Sequence, residues 1–119
     1  MPYVDGFLVP VPVKNLPAYR SLSRRMGKIW REYGALEFRE CVGDDLDPKM
    51  AGPFKGALQL KRGETVMFSW IVYKSRAHRD RVNAQAMKDP RTAKMMALKA
   101  MPFDCTRMAG GGFKVLVDL

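Results

Sequence analysis

The chain has 119 residues, 47% hydrophobic and 28% charged, with a formal net charge of +9 at pH 7. That length fits one domain with one main core, expected over residues 1–119, and the apolar share excludes a disordered chain. The cation excess favours solubility and admits anionic partners, whether nucleic acid, anionic lipid or acidic metabolites, without choosing among them.

Residues 3–12 read as a strand. Val4, Phe7, Leu8, Val9 and Val11 are strand formers, and Pro10 and Pro12 mark its end or an exposed edge. Asn15 is placed to cap a helix whose first turn accepts Pro17. Leu16, Tyr19, Leu22, Met26, Ile29, Trp30 and Tyr33 recur at spacings of three and four, and Gly34 stops the helix. Arg20, Arg24, Lys28 and Arg31 occupy its other side.

A second strand is expected over residues 35–43, where Leu36, Phe38 and Val42 form an apolar row that Glu40 interrupts. Residues 44–63 hold Asp44, Asp45, Asp47, Pro48, Gly52, Pro53 and Gly56, the composition of an ordered loop, with a short strand near residues 57–60. Residues 65–74 form the most apolar strand. Val66, Phe68, Trp70 and Val72 lie on one face, and Met67, Ile71 and Tyr73 on the other. Such a strand needs a cover on each side, and one helical layer supplies only one. A second copy of the chain is the expected source of the other.

Ser75 caps a second long helix reaching about Lys88, and Asp89-Pro90 starts a further helical segment to about Ala100. Residues 106–117 read as the last strand, and Gly110–Gly112 within it imply a bulge or a close backbone approach. The order strand, helix, strand, strand, helix, strand is the ferredoxin-like βαββαβ plan of the α+β class. It has a four-stranded antiparallel sheet with the helices on one face.

The segments YVDGFLVPVP, WREYGALEFRECVGDD, GETVMFSWIVYKSRAHRDRVNA and MPFDCTRMAGGGFKVLVD resemble the YbaA-like family of bacterial proteins, a domain of unknown function, along nearly the whole chain. The resemblance implies membership of the dimeric α/β-barrel superfamily, in which the sheets of two subunits face each other around a cleft. It carries over no catalytic residue. One departure stands out. The family's acidic residue three positions after the helix-opening serine is His78 here, which removes the reciprocal half of a capping box.

Several residues invite chemistry. Asp5 lies among Tyr3, Phe7 and Val9. In an apolar cleft its carboxyl would be a general acid or base, with Tyr3 as an orienting hydroxyl; the competing reading has Asp5 accept bonds from the backbone or an arginine. Glu40 would be a second cleft carboxylate, although an ion pair with Arg39 or Arg107 at the dimer interface is the preferred expectation. Phe7, Phe38, Phe68, Trp70 and Met67 would wall an apolar pocket, against the plainer reading of core and dimer packing.

Other features point away from chemistry. His78, the one histidine, is read as partly exposed and as a poor metal ligand. Asp44, Asp45 and Asp47 lack the glycine and glutamate of a calcium loop, and Gly110–Gly112 lack the ending of a phosphate loop. Cys41 and Cys105 are expected as buried free thiols, and no metal or cofactor is expected. The N-terminus does not read as a signal peptide, and no apolar run approaches the roughly 20 residues that span a bilayer, so a cytoplasmic location is expected with no membrane association.

Two functions remain open. One is a homodimeric protein that binds or converts a small apolar metabolite in a cleft of the barrel, without a cofactor. By superfamily analogy, oxygenase or isomerase chemistry falls within reach. The other is a non-catalytic dimer that holds an anionic partner such as RNA on its basic helical faces.

Overall fold

Two long runs of β-branched and aromatic residues make the middle of the sheet. The computed structural model describes residues 1–47, 49 and 52–119, so Pro48 of the expected loop lies outside the described residues. The strands are β1 (Tyr3–Pro12), β2 (Glu37–Val42), β3 (Glu64–Tyr73) and β4 (Ala109–Lys114). The helices are α1 (Leu16–Glu32), α2 (Phe54–Ala57), α3 (Arg76–Lys88) and α4 (Pro90–Met96). The sheet is antiparallel throughout, in the order β2-β3-β1-β4. This is the expected ferredoxin-like α+β arrangement, with an open sheet in the single chain. No described helix is long and apolar enough to cross a membrane.

β1 is central, yet it tolerates two prolines. β4 stops at Ala109, opposite Leu8, so Pro10 and Pro12 fall where β1 keeps a neighbour on one side only. β3 alternates as its sequence requires. Met67, Ser69, Ile71 and Tyr73 are buried under the helices, whereas Phe68 on the other face is 48% exposed. Phe113 of β4 lies on that open face too, 59% exposed, opposite Val4.

α1 buries Tyr19, Leu22, Ile29 and Trp30 against the sheet, and Gly34, with φ of 116°, ends it in a conformation that side chains disfavour. Asn15 stands at the cap position but makes no cap bond; its amide donates to the Pro102 carbonyl instead, 3.1 Å away. α3 buries only Val82 and Ala86 and is held largely by polar contacts. Asn83 Oδ1 accepts from Trp30 Nε1 at 2.9 Å and from the Tyr73 hydroxyl at 3.1 Å.

Several expectations are corrected. No strand forms over residues 57–60: a short helix, α2, ends at Ala57 and a turn follows at Leu58 and Gln59. α4 ends at Met96, short of Ala100. The last strand begins only at Ala109, because Asp104 caps a 3-10 turn over Cys105–Arg107, accepting from the Thr106 amide and hydroxyl. The capping box also differs. Ser75 accepts from the His78 amide, and His78 Nδ1 accepts from the Lys74 amide at 3.0 Å, so the imidazole supplies a reciprocal bond one residue earlier. Cys105 is exposed and Cys41 half-buried, not buried as expected.

The glycines of β4 make room for side chains of β1. A Cβ on Gly112 would lie 2.8 Å from Tyr3 Cε2 and 2.9 Å from Cζ, inside the body of the ring. That ring cannot swing freely, because it also carries the Arg79 guanidinium, 4.9 Å from its centre. Gly112→Ala should therefore destabilise the protein by about 1–3 kcal/mol, the usual cost of overpacking. Urea denaturation reads this directly, and an unchanged midpoint would mean that the Tyr3 ring yields without loss.

Candidate functional site

Two hollows of the described surface meet at one wall. The inner one is a cavity of about 510 Å³ between the sheet and the helices, a size typical of small-molecule sites. Its floor is the helix-facing row of the sheet: Phe7 and Val9 of β1, Phe38 and Glu40 of β2, and Ser69 and Ile71 of β3. Its roof comes from Leu22, Met26 and Trp30 of α1, Met87 of α3, and Met95 and Met96 of α4, with Met101, Phe103, Cys105 and Met108 closing the side. Methionine is unbranched and polarisable, so such a lining adapts to the shape of an apolar guest.

Among the described residues Glu40 is the one charged residue lining this cavity. The register places it opposite Ser69, which itself stands opposite Phe7, so the carboxylate lies beside a small side chain in an aromatic floor. Two α1 hydroxyls hold it. Tyr19 donates to Oε1 at 3.2 Å and to Oε2 at 3.0 Å, and Ser23 donates to Oε1 at 2.8 Å. Burial pushes the Glu40 carboxyl above its ordinary value, against the pull of the Ser23 and Tyr19 hydrogen bonds. Burial, reinforced by Glu40, also raises Tyr19, which stays a neutral donor. The expected ion pair of Glu40 with Arg39 or Arg107 is corrected. Arg39 pairs with Glu37 at 3.3 Å and Arg107 pairs with Glu64, so among the described residues the partners of Glu40 are hydroxyls.

The expected site residues are divided. Phe7, Phe38 and Glu40 line the cavity, whereas the register turns the Trp70 side chain to the opposite face of the sheet. Tyr3 and Asp5 share the helix-facing side of the sheet but lie under α3, where Arg79 donates to Asp5 Oδ1 at 2.9 Å and its guanidinium stacks on Tyr3. Burial raises the Asp5 carboxyl even though Arg79 opposes the shift. Phe68 lies on the opposite face of the sheet, 5.5 Å from Trp70 centre to centre, and the Trp70 indole reaches out to Glu37 at 3.0 Å. Met67 lines the outer hollow instead of the cavity. The hydroxyls of Tyr19 and Ser23 were not anticipated. Their spacing of four residues puts Ser23 on the buried side of α1 beside Tyr19, and that spacing was the available signal.

The outer hollow is an open groove of about 1260 Å³ between α1 and the edge strand β2. It shares Tyr19, Ser23, Phe38 and Glu40 with the cavity, and it carries Arg20, Arg24 and Lys28 along α1. Among the described residues no group of three or more histidine, cysteine, aspartate or glutamate side chains could hold a metal ion.

The raised pKa of Glu40 fixes the sign of a pH effect. The folded chain retains the Glu40 proton above the unfolded value of 4.5, so stability should decline as pH rises from there through the folded pKa. Glu40→Gln keeps a group that the hydroxyls can bond and removes the titration. The variant should lose that part of the slope and be at least as stable as the parent at neutral pH. Denaturation midpoints between pH 4 and 8 check this, and parallel curves for the two proteins would refute it.

Relatives place the chain in a family. A family model described as a protein of unknown function (DUF1428) matches residues 2–105. The chain is 39% identical over 118 residues to the uncharacterized protein YbaA of Escherichia coli strain K12, covering 99% of each chain, and equally to that of Shigella flexneri. Among solved structures, a dimeric ferredoxin-like protein from an uncultured marine organism matches at 12% identity over 100% of both chains, with a TM-score of 0.60. Rv0793 from Mycobacterium tuberculosis matches at 17% identity over 99% of this chain and 98% of its own, with a TM-score of 0.51. These two likenesses concern the fold. The sequence matches establish that the chain belongs to the YbaA-like DUF1428 family, whose function is unknown.

Proposed function

We propose that the protein is a homodimeric small-molecule-binding protein, whose ligand is a small, apolar, partly aromatic molecule held in the methionine- and aromatic-lined cavity. The observation that carries this reading is the pairing of an adaptable apolar enclosure of about 510 Å³ with one carboxylate held by two hydroxyls. Glu40 Oε2 has lone-pair capacity beyond its bond from Tyr19. It would accept a hydrogen bond from the ligand, or take a proton from it if the ligand is converted. In this reading Asp5 and Tyr3 serve the same site at one remove, by fixing α3 over the sheet through Arg79.

Dimerisation is supported by the open face of the sheet. Phe68, Phe113, Val72 and Leu8 share it, and two such faces packed together would form the barrel. The solved ferredoxin-like neighbour described as dimeric supports pairing as such.

The probe for the cavity is 1-naphthol, an aromatic body with one donor. Its ~11 non-hydrogen atoms, at about 0.5 kcal/mol each, give an expected Kd of about 100 μM. Titration followed by tryptophan fluorescence should saturate at one molecule per chain. Met96→Trp, at a position half exposed at the cavity rim, should weaken binding at least tenfold without lowering the melting temperature. The absence of saturable binding by the parent protein would overturn the proposal. For the dimer, Phe68→Arg places a charge in the contact and should yield a monomer in light scattering at ~10 μM. A variant that remains dimeric there would place the contact elsewhere.

A further inference from the structure

Among the described residues, the groove outside the cavity carries three cations with no acidic partner. Arg20, Arg24 and Lys28 are exposed and recur every fourth residue, so they form a ladder of about 12 Å along one side of α1. Their neighbours are committed. Arg31 donates to the carbonyls of Ala35 and Leu36, and Arg39 pairs with Glu37. Glu32, an acid in the same groove, is taken by Arg91 at 2.7 Å. Among the described residues none of the three ladder cations has an acidic partner within salt-bridge distance.

The ladder and the cavity stand on two sides of one wall. Tyr19, Ser23, Phe38 and Glu40 line both hollows, so a molecule with its body in the cavity would reach the ladder by passing between α1 and Glu40. The charges sort the two ends of such a molecule. Among the described residues no arginine or lysine lines the cavity, and its one charged group is acidic, so an anionic group gains nothing inside. Outside, three cations await it over a length that suits more than one negative charge.

We infer that the ligand of this cavity is a phosphorylated apolar alcohol, with its alkyl or aryl body inside and its phosphate or diphosphate head on Arg20, Arg24 and Lys28. The inference rests on the cavity being a ligand site, and it adds the class of ligand and its direction of entry. An apolar body alone would leave the ladder idle. Inorganic phosphate alone would leave the cavity empty. Joining the two in one molecule uses both, and the wall at Glu40 is where body gives way to head.

The test compares octyl phosphate, 1-octanol and inorganic phosphate by calorimetric titration of the full chain. Octyl phosphate should bind at least ten times more tightly than 1-octanol at 20 mM salt, with most of that advantage gone at 0.5 M. In the double variant Arg24→Gln, Lys28→Gln the advantage should fall about tenfold while 1-octanol binds as before. Both positions are exposed, and an unchanged melting temperature shows that the fold is intact. Equal binding of octyl phosphate and 1-octanol, or a double variant that behaves as the parent, overturns the inference and leaves the cavity reading standing. Inorganic phosphate binding as tightly as octyl phosphate overturns it too, since the body would then contribute nothing. If neither octyl compound binds, the cavity reading fails and the inference fails with it.

Discussion

The helical layer is placed by a few buried polar contacts more than by a broad apolar stripe. α3 offers the core only Val82 and Ala86, too little area to fix its position by burial alone. Asn83 supplies what is missing. Its carboxamide oxygen receives both the Trp30 indole of α1 and the Tyr73 hydroxyl of β3, tying two helices and the central sheet to one atom. A turn earlier, Arg79 reaches Asp5 on β1 and lies on the Tyr3 ring. Contacts of this kind are directional, and losing one partner leaves the other buried without compensation. The position of α3, and the glycines of β4 that admit the Tyr3 ring, follow from them.

The cavity is the complement of that arrangement. A helix that presents small residues and polar anchors does not fill the space between itself and α1. That space is lined by side chains of α1 and α4 and by the segment that follows α4. Many are methionines, which can line a gap without a fixed rotamer. Asp89 steadies this region by capping α4 and taking the Tyr33 hydroxyl at 2.8 Å. Arg91 holds Asp89 well below the usual carboxylate range, helped by Tyr33. The roof of the cavity is thus rich in unbranched side chains and anchored at the start of its helix.

Much of the fold was legible because the signals were local. The alternation of β3, the stripe of α1 and the Ser75 cap each depend on residues a few positions apart. The short helix at Phe54–Ala57 was missed because four residues between prolines and glycines carry too little periodicity to separate helix from strand. The late start of β4 turns on the Asp104 side chain competing for the backbone, which composition does not reveal. The candidate site was legible only in part, for a different reason. Phe7, Phe38 and Glu40 share a face with one another, whereas Phe68 does not. That division follows from the pairing of Phe7 with Ser69 and of Ser69 with Glu40. Register across strands is a long-range property, and a shift by one residue would exchange the two faces. The preference for an arginine partner of Glu40 failed similarly. The general cost of burying a carboxylate is real, but here hydroxyls of α1 offset part of it and burial raises the pKa.

Ser69 shows how one residue links these points. It stands in the inward row of β3, between Met67 and Ile71, and it is 5% exposed. Across the sheet it separates the Phe7 ring from the Glu40 carboxylate. A valine or isoleucine there would suit the strand better and would fill the floor of the cavity. The serine gives up apolar burial at the centre of the sheet and leaves room beside the one acidic group that the cavity contains. A chain selected only for packing would gain from the larger residue. Ser69 therefore fits best with a floor kept open, and it locates that opening next to Glu40, where cavity and groove share a wall.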